Sequence, residues 1–435
     1  MFEKYRERVK NCDTFKYMGV VDQVVGLMIE SIGPKAKLGD VCRIRTLDDD
    51  GEILAEVVGI KENRILLMPY DDVKGIGSGS VIENTGAKLK IPVGEGLKGR
   101  ILNGIGQIID DGGPVECEGT CSIDKPYSNP LSRPRITEPM SFGIKAIDGL
   151  LTIGKGQRMG IFAGSGVGKS TLMGMIARNI RADVNIIALV GERGRELRDF
   201  MERDLGPEGM AKSILVIATS DQPAMLRSKC ALTATALAEY FQEQGKDVLL
   251  MMDSLTRFAM AQREIGLAVG EPPVSRGYPP SIYAELPKLL ERTGNFEKGS
   301  ITGIYTVLVE GDDTNEPIAD TVRGIIDGHI ILSRSLAQSN HYPAIDVNAS
   351  VSRLMNDIAE KGHLDVAKKM RDLLATYYAN QDLISIGAYK SGSNPKIDKA
   401  IAYIDRINQF LMQAVDEKFT KDETIQLMTQ LMKDC

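Results

Sequence analysis

The stretch Gly160-Ile161-Phe162-Ala163-Gly164-Ser165-Gly166-Val167-Gly168-Lys169-Ser170-Thr171 has the residue types and spacing of an anion cradle. Glycines let successive backbone N–H groups turn inward around a phosphate. The apolar run up to Phe162 reads as a buried strand, and helical spacing resumes at Leu172. The order strand, glycine loop, helix places the positive end of a helix dipole at the anion. The expected nucleotide cradle is therefore Gly164, Ser165, Gly166, Val167, Gly168, Lys169, Ser170 and Thr171. Lys169 would reach the β- and γ-phosphates, and the Ser170 hydroxyl would bind Mg²⁺. The first position of the G-x-x-x-x-G-K-[ST] pattern is Ala163 here, a small residue that still fits.

Two more apolar runs end in carboxylates. Val248-Leu249-Leu250-Met251-Met252-Asp253 places Asp253 at a strand end, where it would hold the Mg²⁺ shell through water. Ile186-Ile187-Ala188-Leu189-Val190-Gly191 leads to Glu192 and Arg193. A carboxylate there can polarise an attacking water as general base, and Arg193 can stabilise charge on the γ-phosphate. From the pattern alone, Arg193 is also open to being one member of an exposed ion-pair run, Glu192-Arg193-Gly194-Arg195-Glu196.

These groups need a sheet to bring them together. From about 141 to 350, apolar strands (159–162, 185–190, 213–218, 248–252, 300–309, 330–332) alternate with helical stretches (170–180, 197–201, 225–244, 254–265). That alternation predicts a parallel sheet covered on both faces, with ligands at the carboxyl ends of its strands. Residues 14–92 instead hold short Val/Ile-rich runs between turn clusters such as Leu47-Asp48-Asp49-Asp50-Gly51, the pattern of a small β-barrel. Their expected work is assembly. A glycine-rich stretch, 92–106, marks the boundary, and residues 113–140 read as an extended crossover. Beyond about 354 the chain reads as helical. The expected division is an arm at 1–13, a barrel at 14–92, an ATPase domain at 93–353 and a helical domain at 354–435.

Bulk properties narrow the function. The chain has 435 residues, more than one ordinary core accommodates. A net charge of −6, no Trp and 5% aromatic residues give no reason to expect nucleic acid. The charged start, Met1 to Arg8, is no signal peptide, and no apolar run is long enough to span a bilayer. Of the six cysteines only Cys117 and Cys121 are close, and they read as reduced thiols of a cytoplasmic protein. His329, His341 and His363 lack metal-ligand spacing, so no catalysis is assigned to them.

Longer motifs carry a resemblance. Gly191-Glu192-Arg193-Gly194-Arg195-Glu196, Asp253-Ser254-Leu255-Thr256-Arg257, Tyr342-Pro343-Ala344-Ile345-Asp346 and Ser350-Val351-Ser352-Arg353 resemble the ATP synthase catalytic-subunit superfamily. The cradle, the segments Gly270 to Ser281, Gly311 to Asp320 and Gly387 to Ser393 are similar to its type III secretion branch, most of all the flagellar export ATPases. The resemblance implies an α/β fold: a RecA-like P-loop core with an N-terminal β-barrel and a C-terminal α-helical domain. It implies an ATPase using ATP and Mg²⁺ to drive flagellar protein export. Under it Glu192 is the catalytic glutamate, Arg193 and Arg257 lie near the γ-phosphate, Tyr342 packs the adenine, and Arg353 is an arginine finger serving the neighbouring subunit.

Identical copies must then form a ring, a homohexamer with sites at its seams. The expected partners are regulator and central-stalk proteins, export substrates and chaperones, with no nucleic acid. The expected location is cytoplasmic, peripheral at the inner face of the cell membrane. The acidic lever of rotary subunits is replaced by Ala388 to Pro395. The Pro-rich loop Glu271 to Pro280 is expected at the pore, where Arg276 and Tyr278 would touch a stalk or a threaded chain, or else is a rigid structural loop. A virulence-type secretion ATPase, a non-catalytic nucleotide-binding ring subunit and an RNA translocase remain as alternatives.

Overall fold

A computed structural model describes residues 16–47, 51–62, 64–125, 129–309, 316–433 and 435. The N-terminal arm, residues 48–50 of the Leu47 to Gly51 turn and the Gly311 to Asn315 part of one motif lie outside the described residues.

The barrel forms as the alternating runs predict. Strands β1 (Met18–Val25), β2 (Met28–Ile32), β3 (Asp40–Arg45), β4 (Glu52–Lys61), β5 (Arg64–Pro69) and β6 (Val81–Lys88) close in the order β1-β2-β5-β4-β3-β6. Val21, Ile29, Cys42, Ile44, Val57, Leu67 and Ile82 fill its interior. The first Val/Ile-rich run, Gly19 to Ile29, forms two strands. Gly26, at φ 59°, turns the chain between them, and β1 pairs back on β2. The barrel is tied to the central sheet domain by a buried network. Lys229 Nζ donates to Glu56 Oε1 at 2.8 Å, and Tyr70 Oη donates to Glu56 Oε2 at 2.5 Å.

The central sheet comprises β7 (Ile101–Asn103), β8 (Arg158–Ala163), β9 (Val184–Glu192), β10 (Ser213–Thr219), β11 (Asp247–Asp253), β12 (Ser300–Leu308), β13 (Gly328–Leu332) and β14 (Ile345–Ser352). Their order is β14-β13-β8-β12-β11-β9-β10-β7, and a two-residue strand, Gly294–Asn295, pairs with β12. Alternate residues of β9 serve opposite faces. Ile186, Ala188 and Val190 join the core beneath the helices α2 (Ala224–Glu243) and α3 (Leu255–Ala268). Ile187 and Leu189 join the core shared with α1 (Lys169–Asn179) and the C-terminal helices. Burial on both faces is why these strands read as unbroken apolar runs.

Two edge strands depart from the expectation. β7 lies inside the glycine-rich stretch taken as a boundary and pairs in parallel with β10. β14 runs antiparallel to β13, so the sheet is not purely parallel.

The helical C-terminal part consists of α4 (Lys361–Ser385), α5 (Pro395–Leu411) and α6 (Lys421–Leu431). Met370, Leu374, Ile404, Ile407 and Met428 pack into the core that also holds α1. The helix predicted at 197–201 continues as a π-helical turn, Phe200–Leu205. Tyr278 is buried at 3% exposure, with the Arg263 guanidinium 5.7 Å from its ring centroid, a packing that fits the rigid-loop alternative at this residue. Arg276 is exposed, at φ 48°.

Candidate active site

Three strands deliver the chemistry to one sheet edge. β8 runs into the glycine loop, and Gly168, at φ 87°, caps α1 so that Lys169 opens the helix. A β-carbon on Gly168 would touch the Tyr342 ring at 3.4 Å, so the aromatic stands beside the cradle. Tyr342 is 40% exposed, and its carbonyl accepts from Gln413 N at 2.9 Å. The chain that leaves α5 therefore passes next to it.

β9 carries Glu192 past a bulge. The pairing with β10 shifts between Val190 and Glu192, and Gly191 sits at φ 69°. A side chain at Gly191 would meet Arg257 carbons from 3.1 Å. Glycine is thus required twice, for its backbone angle and for the space that Arg257 takes. β11 ends in Asp253. Ser254 then caps α3 by accepting from Arg257 N at 3.2 Å, which puts Arg257 on the first turn of that helix.

These side chains converge. Lys169 Nζ donates to Asp253 Oδ1 at 2.5 Å and lies 3.5 Å from Glu192 Oε1. Asp253 is 4% exposed. A second donor, Thr306 Oγ1 on the neighbouring strand β12, reaches the same Asp253 Oδ1 at 2.6 Å. Burial foremost, and then the Asp253 carboxylate, push Glu192 up to about 7 against the pull of Lys169. Burial opposes the Lys169 charge too, but Asp253 and Glu192 outweigh it and hold the ammonium above the ordinary lysine range. The Nε of Arg257 is buried and has no hydrogen-bond partner among the described residues. A buried guanidinium nitrogen left short of an acceptor, on a side chain packed over Gly191 next to Glu192, is suited to an anion.

Ser170 follows Lys169 on α1. Asp253 and Ser170 offer only oxygen, and no cluster of three or more His, Cys, Asp or Glu side chains suited to a metal exists among the described residues. A few hard oxygen donors, completed by water and phosphate, fit Mg²⁺.

Not every expected residue is gathered here. Arg193 is 77% exposed at its side chain and pairs with Glu196 at 3.5 Å, the exposed ion pair its pattern also allowed. Arg353 sits elsewhere. Its N–H donates to Asp327 O at 3.0 Å, Asp327 N–H donates to Arg158 O at 2.9 Å, and an Arg353 Nη2 donates to Arg323 O at 3.2 Å. Arg353 is therefore level with the start of β8, at the opposite sheet edge from the glycine loop. Thr306 escaped the sequence reading. Its one signal is a hydroxyl near the end of an otherwise mostly apolar strand.

Comparison with known proteins agrees with this layout. Residues 21–86 match the ATP synthase alpha/beta family, beta-barrel domain, and residues 143–352 match its nucleotide-binding domain. Residues 359–430 match the T3SS EscN ATPase C-terminal domain. The chain is 55% identical over 426 residues to the flagellum-specific ATP synthase of Bacillus subtilis, covering 97% of each. It superposes on the assembled ATPase EscN of the enteropathogenic E. coli type III secretion system with TM-score 0.90 and 45% identity, over 95% of this chain and 99% of that one. With EscN in complex with its central stalk EscO the TM-score is 0.88 at 44% identity, over 95% and 99%. With its barrel, its nucleotide-binding sheet and its C-terminal helices each accounted for, the chain belongs to the ATP synthase α/β family, in the branch of the flagellum-specific and type III secretion ATPases.

Proposed function

We propose that this chain hydrolyses ATP with Mg²⁺ to drive export of flagellar proteins through a type III apparatus, at sites formed between neighbours of a homohexamer. The observation that carries the reading is the buried cluster of Lys169, Asp253 and Glu192, 2.5 and 3.5 Å from the lysine, beside the unpartnered Arg257 Nε. Lys169 and Arg257 bind the phosphates. Glu192, with a carboxyl pushed up to about 7, takes a proton from the attacking water. Asp253 and Ser170 hold the metal. Bound there, Mg²⁺ would supply positive charge against the triphosphate.

Tyr342 faces the base. Arg193 leaves Glu196 to approach the γ-phosphate when nucleotide is present. Arg353, too far from its own cradle, serves the next copy's. The 55% identity to the Bacillus protein favours the flagellar branch, whereas the 45% identity to EscN favours the injectisome one less. A stalk partner is inferred from the EscN–EscO complex. Regulator, chaperones and export substrates follow from the same reading, as does a cytoplasmic site on the inner membrane face. No helix among the described residues is long and apolar enough to cross a membrane.

The test is phosphate release against protein concentration, with and without Mg²⁺. A rate per chain that climbs with concentration and vanishes with EDTA supports the reading. Flat, metal-independent turnover refutes it, and turnover that RNA stimulates would favour the translocase instead.

A further inference from the structure

Thr306 stands where the cradle strand and the metal-carboxylate strand are joined. β12 is the strand between β8 and β11, and it pairs with both in parallel. On one side Thr306 is in register with Ile161, close before the glycine loop. On the other, Tyr305 is in register with Met252, so Thr306 stands beside Asp253. Thr306 is fully buried. A buried hydroxyl is costly unless it is bonded, and this one donates to Asp253 Oδ1 at 2.6 Å. As a β-branched residue in a strand it has little rotamer freedom.

Oδ1 of Asp253 takes both donors, Lys169 Nζ and Thr306 Oγ1, while Oδ2 has no partner among the described residues. The lysine cannot keep that place and also reach phosphate. Once it turns to the nucleotide, the threonine is the donor that remains on Oδ1. We propose that Thr306 is a positioning residue: it fixes the Asp253 carboxylate so that Oδ2 is presented to the water shell of a bound divalent cation while Lys169 is away. The inference rests on the reading of Asp253 as metal-holding in the proposed function, and it adds a residue to which no role was given there.

The experiment titrates a fluorescent ATP analogue into the full chain, once in EDTA and once in Mg²⁺. For wild type the ratio of the two affinities measures the metal's contribution. Thr306→Val keeps the shape and removes the donor. We expect it to lower that ratio about tenfold, the size of one hydrogen bond to a charged group, with affinity in EDTA unchanged. Thr306→Ser should restore most of the ratio. The Mg²⁺ concentration for half-maximal hydrolysis should rise in Thr306→Val, with KM for ATP at saturating Mg²⁺ near wild type. A folded Thr306→Val with the wild-type ratio overturns the proposal. So does an equal loss in EDTA and in Mg²⁺, the mark of a merely structural role. If Thr306→Val does not fold, Thr306→Ala and Thr306→Ser decide by the same ratio. Should wild type itself show no Mg²⁺-dependent hydrolysis, the reading of the whole site fails, and that outcome is distinct from either result for Thr306.

Discussion

Replacing Arg353 by Ala tests whether one chain holds half a site. Its backbone is hydrogen-bonded through Asp327 to the level of Arg158. Five residues of β8 separate Arg158 from Ala163, about 16 Å at roughly 3.3 Å per residue, and the loop only begins there. No arginine side chain spans that distance within its own subunit. As a finger delivered to a neighbour, Arg353 would contribute about 10³–10⁵ in rate. Arg353→Ala should therefore be nearly inactive while folding and assembling normally, and Lys169→Ala likewise.

Mixed one to one, the two inactive chains should recover. A seam works when its cradle comes from the Arg353→Ala chain and its finger from the Lys169→Ala chain. Random assembly with head-to-tail seams makes about one quarter of the seams complete, so independent sites return about a quarter of wild-type turnover. The assay is steady-state phosphate release across mixing ratios, with ring formation followed by light scattering. A finger acting in cis gives only the mean of the two dead parents at every ratio. That flat line, with rings present, would refute the trans arrangement.

Three further substitutions test the geometry. Glu192→Gln should cut kcat at least a hundredfold, and wild-type kcat should rise with pH through about 7 as the base ionises; a pH-independent rate sinks the assignment. Because the folded carboxyl sits above its ordinary 4.5, the native state binds this proton more tightly than the unfolded chain. Glu192 therefore weakens the fold as pH rises from 4.5 through 7, and Glu192→Gln should melt higher than wild type at pH 8, by roughly 2 kcal/mol, and equally below pH 4. Tyr342→Ala should raise KM about tenfold with kcat little changed if the ring supplies uniform binding to the base; an equal fall in kcat argues against that role. Gly174→Ala would push a β-carbon to 2.5 Å from Asp204 O, a backbone atom that cannot swing aside. It should cost about 1–3 kcal/mol, read as a lower Tm, and an unchanged Tm contradicts the packing.

Groups whose placement is local could be read from the chain. Lys169 follows its loop by covalent order, and Asp253 and Glu192 end apolar strands that burial on both faces makes conspicuous. β7 escaped because a three-residue strand among glycines has no period to detect. β14 escaped because Asp346, Asn348 and Ser350 give it the look of a surface loop. Arg257, Tyr342 and Thr306 act through neighbours far along the chain: Arg257 over Gly191, Tyr342 beside Gly168, Thr306 on Asp253. Nothing within a few residues of any of them signals the contact. Family motifs drew attention to the first two, and the third needed the sheet order. Arg193 shows the opposite limit. Its motif suggested a phosphate ligand, and the chain alone places it in solvent against Glu196.

The charge balance of the cluster explains why seam and nucleotide should depend on each other. Lys169 faces both Asp253 and Glu192, one ammonium against two carboxyl groups, and Arg257 packs over Gly191 next to Glu192. A triphosphate entering the site brings several negative charges into a partly desolvated space. Charge from outside the chain would help to offset them: the divalent cation, and, under the proposed function, a guanidinium from a neighbouring copy. If Arg353 is that guanidinium, nucleotide tightens the seam by the same factor by which the seam tightens nucleotide, because binding couplings are reciprocal. A chain whose sheet carries its cradle on one edge and its prong on the other cannot satisfy both by pairing face to face. With Arg353 as that prong it would associate head to tail, and head-to-tail association ends only when the ring closes.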